Sequence, residues 1–433
     1  MAVAWGAVVA ACGAPSGAGA AGDARGSADA GGRVDSPAPL ATPQLTSLAQ
    51  QCKLLDARFG GDPTANDVQH RANMFGADLG ITVAAPDALY IFFGDTIGFA
   101  GIWGDGQSHP DAVGRAASAD ALCSALDIVT LTPQQSIGPT VDATVAADFA
   151  GGAMTPPAGH ALSEFIHNPS GGGGTTFANL PGDFEVPSGA FAANGAIYVF
   201  YTTVRSPTDT TMVGSYLARW DAPATSAIPS YQIVEALGLG GDFINVAAAT
   251  DSTYVYLFGT GTFRASPVSL ARKRLDALDT PGGYERFDAA TGAWTAAQTG
   301  AAPIIATAGY GETSVRYVPG LDAWMFLAEE LTPTANRVVA RFARVPEGPW
   351  SDPVVVADMA DAGWRAGACC AVDDDCQGTQ FLDCDRTGFY GAYLLPEVDA
   401  DLASHTLTAA FTLSSFAPYG VALYRATFEL KGL

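Results

Sequence analysis

The sequence is poor in positive charge: 21 Lys and Arg stand against 44 Asp and Glu, a formal net charge of −23 over 433 residues. Such a surface repels polyanions, which excludes nucleic acid as a partner. Charged residues of either sign make up only 15% of the chain and hydrophobic ones 48%, so it is a globular composition with ample core, neither disordered nor fibrous. Past the N-terminal leader, no stretch approaches the roughly 20 apolar residues of a membrane-spanning helix. The five histidines, His70, His109, His160, His167 and His405, lack metal-ligand spacing, and there is neither a Gly-x-Ser-x-Gly elbow nor a phosphate loop. The "SGGGG" run from Ser170 is framed by no strand and helix and reads as a flexible loop. No cofactor is expected.

Cysteine is also scarce, with seven residues. The first, Cys12, closes an apolar leader whose Val9-Ala10-Ala11-Cys12-Gly13 resembles the lipobox of bacterial lipoprotein signals. No Lys or Arg precedes the apolar run, and an upstream start would account for this. The expectation is an exported lipoprotein of the cell envelope or surface, with a signal segment at 1–12 and a membrane link only through lipid on Cys12. The other six cysteines, an even number in an oxidising compartment, allow three disulfides whose pairing stays open. Four lie in "CCAVDDDCQGTQFLDC", whose irregular spacing does not match paired zinc ligands. Its run Asp373 to Asp375 reads as a solvated loop in preference to a calcium site.

Residues 13–45 are Gly, Ala, Ser, Pro and Asp without apolar periodicity, a flexible tether. From 46 to 433, amphipathic helical stretches are scarce, and short Val, Ile, Phe and Tyr runs bounded by Gly, Pro and Asp recur. The runs repeat. An aromatic-rich element appears at 89, 196, 253, 323 and 407 ("LYIFFGD", "AIYVFYT", "TYVYLFG", "AWMFLAE", "LTAAFTL"), followed by a second at 215, 268, 338 and 421 ("SYLARWD", "VSLARKRL", "VVARFARV", "VALYRATF"). A third precedes it, opening on an acid twelve or thirteen positions ahead of the aromatic: Asp78, Glu185, Asp242 and Glu312. Five copies of this unit predict an all-β chain, a five-bladed β-propeller with seams near 180, 240, 305 and 385 and an insertion in the first blade at about 99–180.

In a propeller the first strand of each blade lines the axis, so equal offsets predict a ring of acids at one mouth. A turn at Pro86-Asp87 would pair positions summing to 173, setting Asp95 beside Asp78; the same mirror arithmetic about Gly320-Leu321 sets Glu329 beside Glu312. Like charges side by side cost stability and push carboxyl pKa values apart. Glycoside cleavage uses that asymmetry: one protonated carboxyl delivers a proton to the leaving oxygen, and one carboxylate acts as nucleophile or activates water. The bland alternative is that these acids cap strand ends or hold a structural cation. Arg205 and Arg264, just past the second strand of consecutive blades, are expected at the same mouth, as sugar ligands or inter-blade ion pairs. Trp103, Trp364, Tyr310, Tyr390 and Tyr419 are placed in loops, where aromatic faces stack on sugars.

The blocks "ADLGITV…LYIFFGDT", "GDFEVPSGAF…AIYVFYT", "GDFINVAAATDSTYVYLFGTGTFRASPVSLAR", "YGETSVRYVPGLDAWMF" and "APYGVALYRATF" resemble, in order and over about 70–430, the bacterial domain of unknown function 4185. Part of that family is glycoside hydrolase family 183. The resemblance implies a five-bladed propeller, and an endo-D-arabinanase acting on D-arabinofuranose polymers of mycobacterial cell walls, as in the characterised members. It marks Asp78, Asp95, Asn245, Arg264 and Glu312 as the cleft lining. It gives Asp78 as nucleophile or base, Glu312 as proton donor, Asp95 as pKa modulator and Arg264 as clamp. Glu185, Asp242, Asn245, Glu329 and Tyr419 complete the expected substrate contacts. The expected partner is a cell-wall polysaccharide met by a monomer. The competing expectation is a non-catalytic surface propeller that binds glycan or protein through the same mouth.

Overall fold

The computed structural model describes residues 40–57, 64–68, 71, 74–98, 111–128, 131–133, 160–162, 184–206, 209–221, 231–371 and 376–431. Cys12, most of the tether and of the first-blade insertion, Trp103, the "SGGGG" loop and the Asp373–Asp375 run lie outside the described residues.

Segments rich in β-branched and aromatic residues, interrupted by Gly, Pro and Asp, have little choice but to pair as strands. The first, β1 (Gln44–Ala57), finds its partner at the far end of the chain. Strands β2 (Met74–Ala84), β3 (Leu89–Gly98), β4 (Val113–Ala116) and β5 (Asp127–Ile128) form an antiparallel sheet in chain order, followed by a ribbon of β6 (Leu131–Pro133) and β7 (His160–Leu162). A second sheet comprises β8 (Phe184–Ala193), β9 (Ala196–Ser206), β10 (Asp209–Asp221) and β11 (Tyr231–Ala236). Next come β12 (Asn245–Thr250), β13 (Tyr254–Thr260), β14 (Ser266–Arg274), β15 (Glu285–Asp288) and β16 (Ala293–Thr295), then β17 (Ile305–Val318), β18 (Ala323–Thr332), β19 (Ala335–Ala343) and β20 (Val354–Asp358). These two arrays share one sheet only because β14 meets β17 at Ser266↔Tyr310 and Val268↔Ile305. A short helix α1 (Ala362–Ala368), capped by Asp361 Oδ1, and a parallel pair, β21 (Cys369–Cys370) with β22 (Leu382–Asp383), lead into β23 (Phe389–Asp401), β24 (Thr406–Phe416) and β25 (Tyr419–Glu429). Here β1 returns as the outermost strand, paired from Gln44↔Glu429 to Ala57↔Tyr419.

The first strands of the arrays, β2, β8, β12, β17 and β23, touch one another in a closed ring: β2 with β8, β8 with β12, β12 with β17, β17 with β23, and β23 with β2. Between successive arrays lie separate apolar clusters that bury both faces of each sheet. The topology is that of a β-propeller. Aromatic residues of the second and third strands fill the seams: Tyr90 meets Trp220 edge-on at 5.2 Å, and Tyr256 meets Trp324 at 5.4 Å.

A ring of inner strands has a hydrogen-bonding problem, because their innermost edges, apart from the short β14–β17 pairing, lack a ladder partner while lying buried. Small hydroxyl side chains solve it. Thr202 Oγ1 donates to Ile244 O (2.7 Å), Thr260 Oγ1 to Gly311 O (2.7 Å), Thr412 Oγ1 to Gly80 O (2.9 Å) and Ser414 Oγ to Leu79 O (3.0 Å). Ser188 and Ser314 accept from Val246 N–H and Leu394 N–H. Arg316, on β17, donates to Thr82 O, Leu394 O and Leu395 O, joining three inner strands; burial lowers its pKa to about 10.

The six described cysteines pair as Cys52–Cys123, Cys369–Cys384 and Cys370–Cys376. The first ties β1 to the 3-10 turn after β4, linking the last array to the first; the others staple the segment before β23. Three disulfides mark a protein of an exported, oxidising environment. Among the described residues no helix is long and apolar enough to cross a membrane.

Candidate functional site

The site is built where three positive-φ backbones meet. In β2, a register shift at Gly80 (φ +101°) with Leu79 at φ +62° breaks the mirror pairing, so Asp78 lies opposite Gly94 and not opposite Asp95 as the turn arithmetic implied. A second irregularity leaves Asp95, at φ +23°, out of regular pairing. The two carboxyls remain close enough that Asp78 raises the pKa of Asp95. Arg264 occupies the turn between β13 and β14 at φ +47°. Non-glycine residues pay for such φ values, and proteins tolerate them mainly at functional sites. Gly311 makes room for Arg264: a Cβ there would sit 2.6 Å from Arg264 Cγ and 3.0 Å from its Cα.

From that turn, Arg264 meets Glu312 of β17 with two of its three guanidinium nitrogens, Nε to Oε2 at 3.0 Å and Nη2 to Oε1 at 2.9 Å. The same Nε lies 3.5 Å from Glu329 Oε2 on β18. Glu312 and Glu329 follow directly on the regular pair Thr313↔Ala328, as the mirror arithmetic about Gly320-Leu321 anticipates. The far face of the guanidinium lies over the Tyr390 ring, 4.4 Å from its centroid, and Tyr390 Oη donates to Asp78 Oδ2 at 2.9 Å. Tyr419 faces Asp78 as well and favours its ionised form. Side chains from the first, third, fourth and last arrays thus converge on one cluster.

Its electrostatics separate the carboxyls into two kinds. Burial pushes Asp78 up to about 6, with Glu312 adding to the rise while the Tyr390 hydrogen bond, the Tyr419 hydroxyl and Arg264 oppose it. Burial raises Glu329 to about 8, Glu312 adding to the rise and Arg264 opposing it. Burial and then Asp78 hold Asp95 well above the usual carboxylate range. Glu312 goes the other way: burial would raise it, but the charge and hydrogen bonds of Arg264 bring it below its ordinary value. At neutral pH Glu312 and Asp78 are therefore mainly ionised and Glu329 mainly protonated. A carboxylate held in a fork by a guanidinium resists protonation, which weighs against Glu312 and towards Glu329 as the carrier of a proton.

The other expected residues divide. Asn245, at the head of β12, pairs with Thr260, whose hydroxyl holds the carbonyl beside Glu312; its Oδ1 is buried without a hydrogen bond. Glu185 is buried at the start of β8, opposite Thr203. Asp242 does not join a ring of acids: it precedes β12, is 55% exposed and is paired with Arg286 Nη2 at 2.7 Å, because the neighbouring β15 presents that arginine. Arg205 is exposed at the end of β9. Tyr310, Tyr390 and Tyr419 are buried strand residues, not loop aromatics, and Trp364 sits on α1. Sequence reasoning missed the tyrosines' place among the acids and missed Tyr393 entirely. Tyr393 lies buried in the field of Glu312, Asp78 and Arg264, and its hydroxyl has no hydrogen-bond partner. A signal was available in "FYGAYLL": a glycine between two tyrosines three apart marks a bulge that turns both to one side. A groove of about 570 Å³ between β1, β20 and α1, walled by Leu48, Val355 and Trp364, contains none of the acids.

A ring of sheets with a carboxylate and arginine cluster at its hub defines the class: an all-β propeller with a polar central site. The chain belongs to the family described as Domain of unknown function (DUF4185), which matches residues 64–425. No curated protein matches it. A solved structure described only as a candidate hydrolase from Bacteroides ovatus is 13% identical with a TM-score of 0.53, covering 83% of this chain and 89% of that one. A GH43_1 enzyme from Xanthomonas citri is 12% identical (TM-score 0.41; 81% and 87% covered). An α-L-arabinofuranosidase from Clostridium thermocellum is 10% identical (TM-score 0.40; 80% and 85% covered). At 13% identity the likeness to the Bacteroides ovatus structure is one of fold.

Proposed function

We propose that the protein is a glycoside hydrolase that cleaves a neutral furanoside polysaccharide of arabinan type. One observation carries this: acids distant in sequence meet at the hub with their pKa values driven apart, Asp78 to about 6 and Glu329 to about 8. Asp78 is the base or nucleophile, its Oδ1 buried without a hydrogen-bond partner. The proton for the leaving oxygen comes from the Glu312–Glu329 pair, Glu329 holding it in the free protein. Asp95 tunes Asp78, and Arg264 keeps Glu312 ionised and fixed. The orphan oxygens of Asp78, Asp95 and Asn245 are acceptors, suited to sugar hydroxyls and hostile to anionic sugars. Cys12 would tether the enzyme to the membrane by lipid.

Digestion of arabinan, arabinogalactan and related furanosides tests the proposal. The wild type should release oligosaccharides, and Asp78→Asn and Glu329→Gln should each lower the rate by about 100-fold or more. Glycan binding with no product after prolonged digestion would replace the enzyme with a binding propeller.

A further inference from the structure

Strand β23 supplies a residue that the carboxylate chemistry does not itself require. Residues three apart on a regular strand face opposite ways. Between Tyr390 and Tyr393 the register with β24 shifts, and Gly391 takes φ +61°, a conformation open to glycine. Both tyrosines are therefore turned to the hub. Tyr390 is 7% exposed, its ring is covered by the Arg264 guanidinium at 4.4 Å, and its hydroxyl reaches Asp78 Oδ2 at 2.9 Å. It is the direct physical link between the Arg264–Glu312–Glu329 group and Asp78. Its hydrogen bond occupies one oxygen of Asp78 and leaves Oδ1 without a partner.

We infer that Tyr390 is a positioning residue: it fixes the orientation of Asp78, leaves one carboxylate oxygen directed to substrate, and sets the pH at which that oxygen becomes available. This rests on the hydrolase proposed above. The groups that face Asp78 are Tyr390 and Tyr393 of β23, Tyr419 of β25, Glu312 of β17, Asp95 of β3 and Arg264 of the β13–β14 turn. Tyr390 donates to Asp78, and of the two tyrosines that favour its ionised form, Tyr390 and Tyr419, it has the larger effect. A buried bond to a charged carboxylate is worth enough to move its titration by roughly one pH unit.

The test is Tyr390→Phe, which keeps the ring beneath Arg264 and so preserves packing, as circular dichroism would verify. Carboxyl 13C NMR, with the Asp78 signal assigned by its loss in Asp78→Asn, should show Asp78 titrating roughly one unit higher. The acid limb of kcat/KM should move up equally, with a loss of about tenfold below pH 5 and a much smaller one above pH 7. Tyr419→Phe should shift the same signal less. An Asp78 titration unmoved in folded Tyr390→Phe, or a larger shift in Tyr419→Phe, would overturn the inference. If no glycan is cleaved, the hydrolase proposal fails by itself, and the NMR titration still decides the role of Tyr390.

Discussion

At the scale of a single residue, Tyr393 is where the proposed substrate site and the stability of the fold make opposite demands. A buried hydroxyl without a partner costs about 1–3 kcal/mol of desolvation, and such a cost persists where something else supplies the missing bond. Its near neighbours are charged groups already engaged with one another: Glu312 with Arg264, and Asp78 with Tyr390. Replacing Tyr393 by Phe should therefore leave thermal stability unchanged or slightly higher while raising KM about tenfold, equivalent to one lost hydrogen bond to substrate. Steady-state kinetics beside a thermal melt checks this; an unchanged KM with a lowered Tm would make Tyr393 structural. The residue was hard to find in the sequence for a plain reason. Tyr393 stands in an apolar run, "FYGAYLL", on an inner strand, so it carries no mark of facing the hub until that strand's bulge is known.

At the scale of elements, the seams depend on hydroxyls that look unremarkable in the sequence. Thr260 is 1% exposed, and its hydroxyl satisfies Gly311 O, the carbonyl directly before Glu312. Thr260→Val keeps the shape and removes the bond, leaving a buried carbonyl unpaired. We expect a loss of about 1–3 kcal/mol in denaturant unfolding. Activity should fall too, because the backbone that carries Glu312 loses its anchor to β13; an unaltered midpoint and rate would refute this role. Much of the element pattern was legible beforehand. The aromatic runs at 89, 196, 253, 323 and 407 are β3, β9, β13, β18 and β24, and the runs at 215, 268, 338 and 421 fall in β10, β14, β19 and β25. These strands are buried on both faces, so they read as continuous apolar runs. The outer strand β1 was not legible: three register shifts against β25 break its alternation, and its partner is some 370 residues away, beyond any local pattern. Bulges likewise defeated the Asp78–Asp95 register, while the β17–β18 hairpin keeps the expected register from Val318↔Ala323 to Thr313↔Ala328 and shifts only beyond it, where Glu312 and Glu329 lie.

For the whole molecule, the ring is what turns scattered acids into a site. Asp78 and Glu312 are 234 positions apart in the chain, yet Arg264 and Tyr390 join them through three short contacts. The offset rule foresaw that inner strands deliver acids to the axis, and it held for Asp78 and Glu312. It failed for Asp242 because an arginine from β15 draws that carboxylate outward, an interaction between strands that no repeat spacing encodes. The functional proposal requires the cluster to hold one carboxyl ionised and one protonated at the same time. For Asp78, raised to about 6, the working ionised form appears as pH rises through that value; for Glu329, raised to about 8, the working protonated form is lost above it. The most direct measurement is kcat/KM against pH on a cleavable arabinan. A bell with limbs near 6 and 8 and a maximum close to 7 is the predicted result, and a rate that peaks below pH 5 or stays level through pH 9 would contradict it.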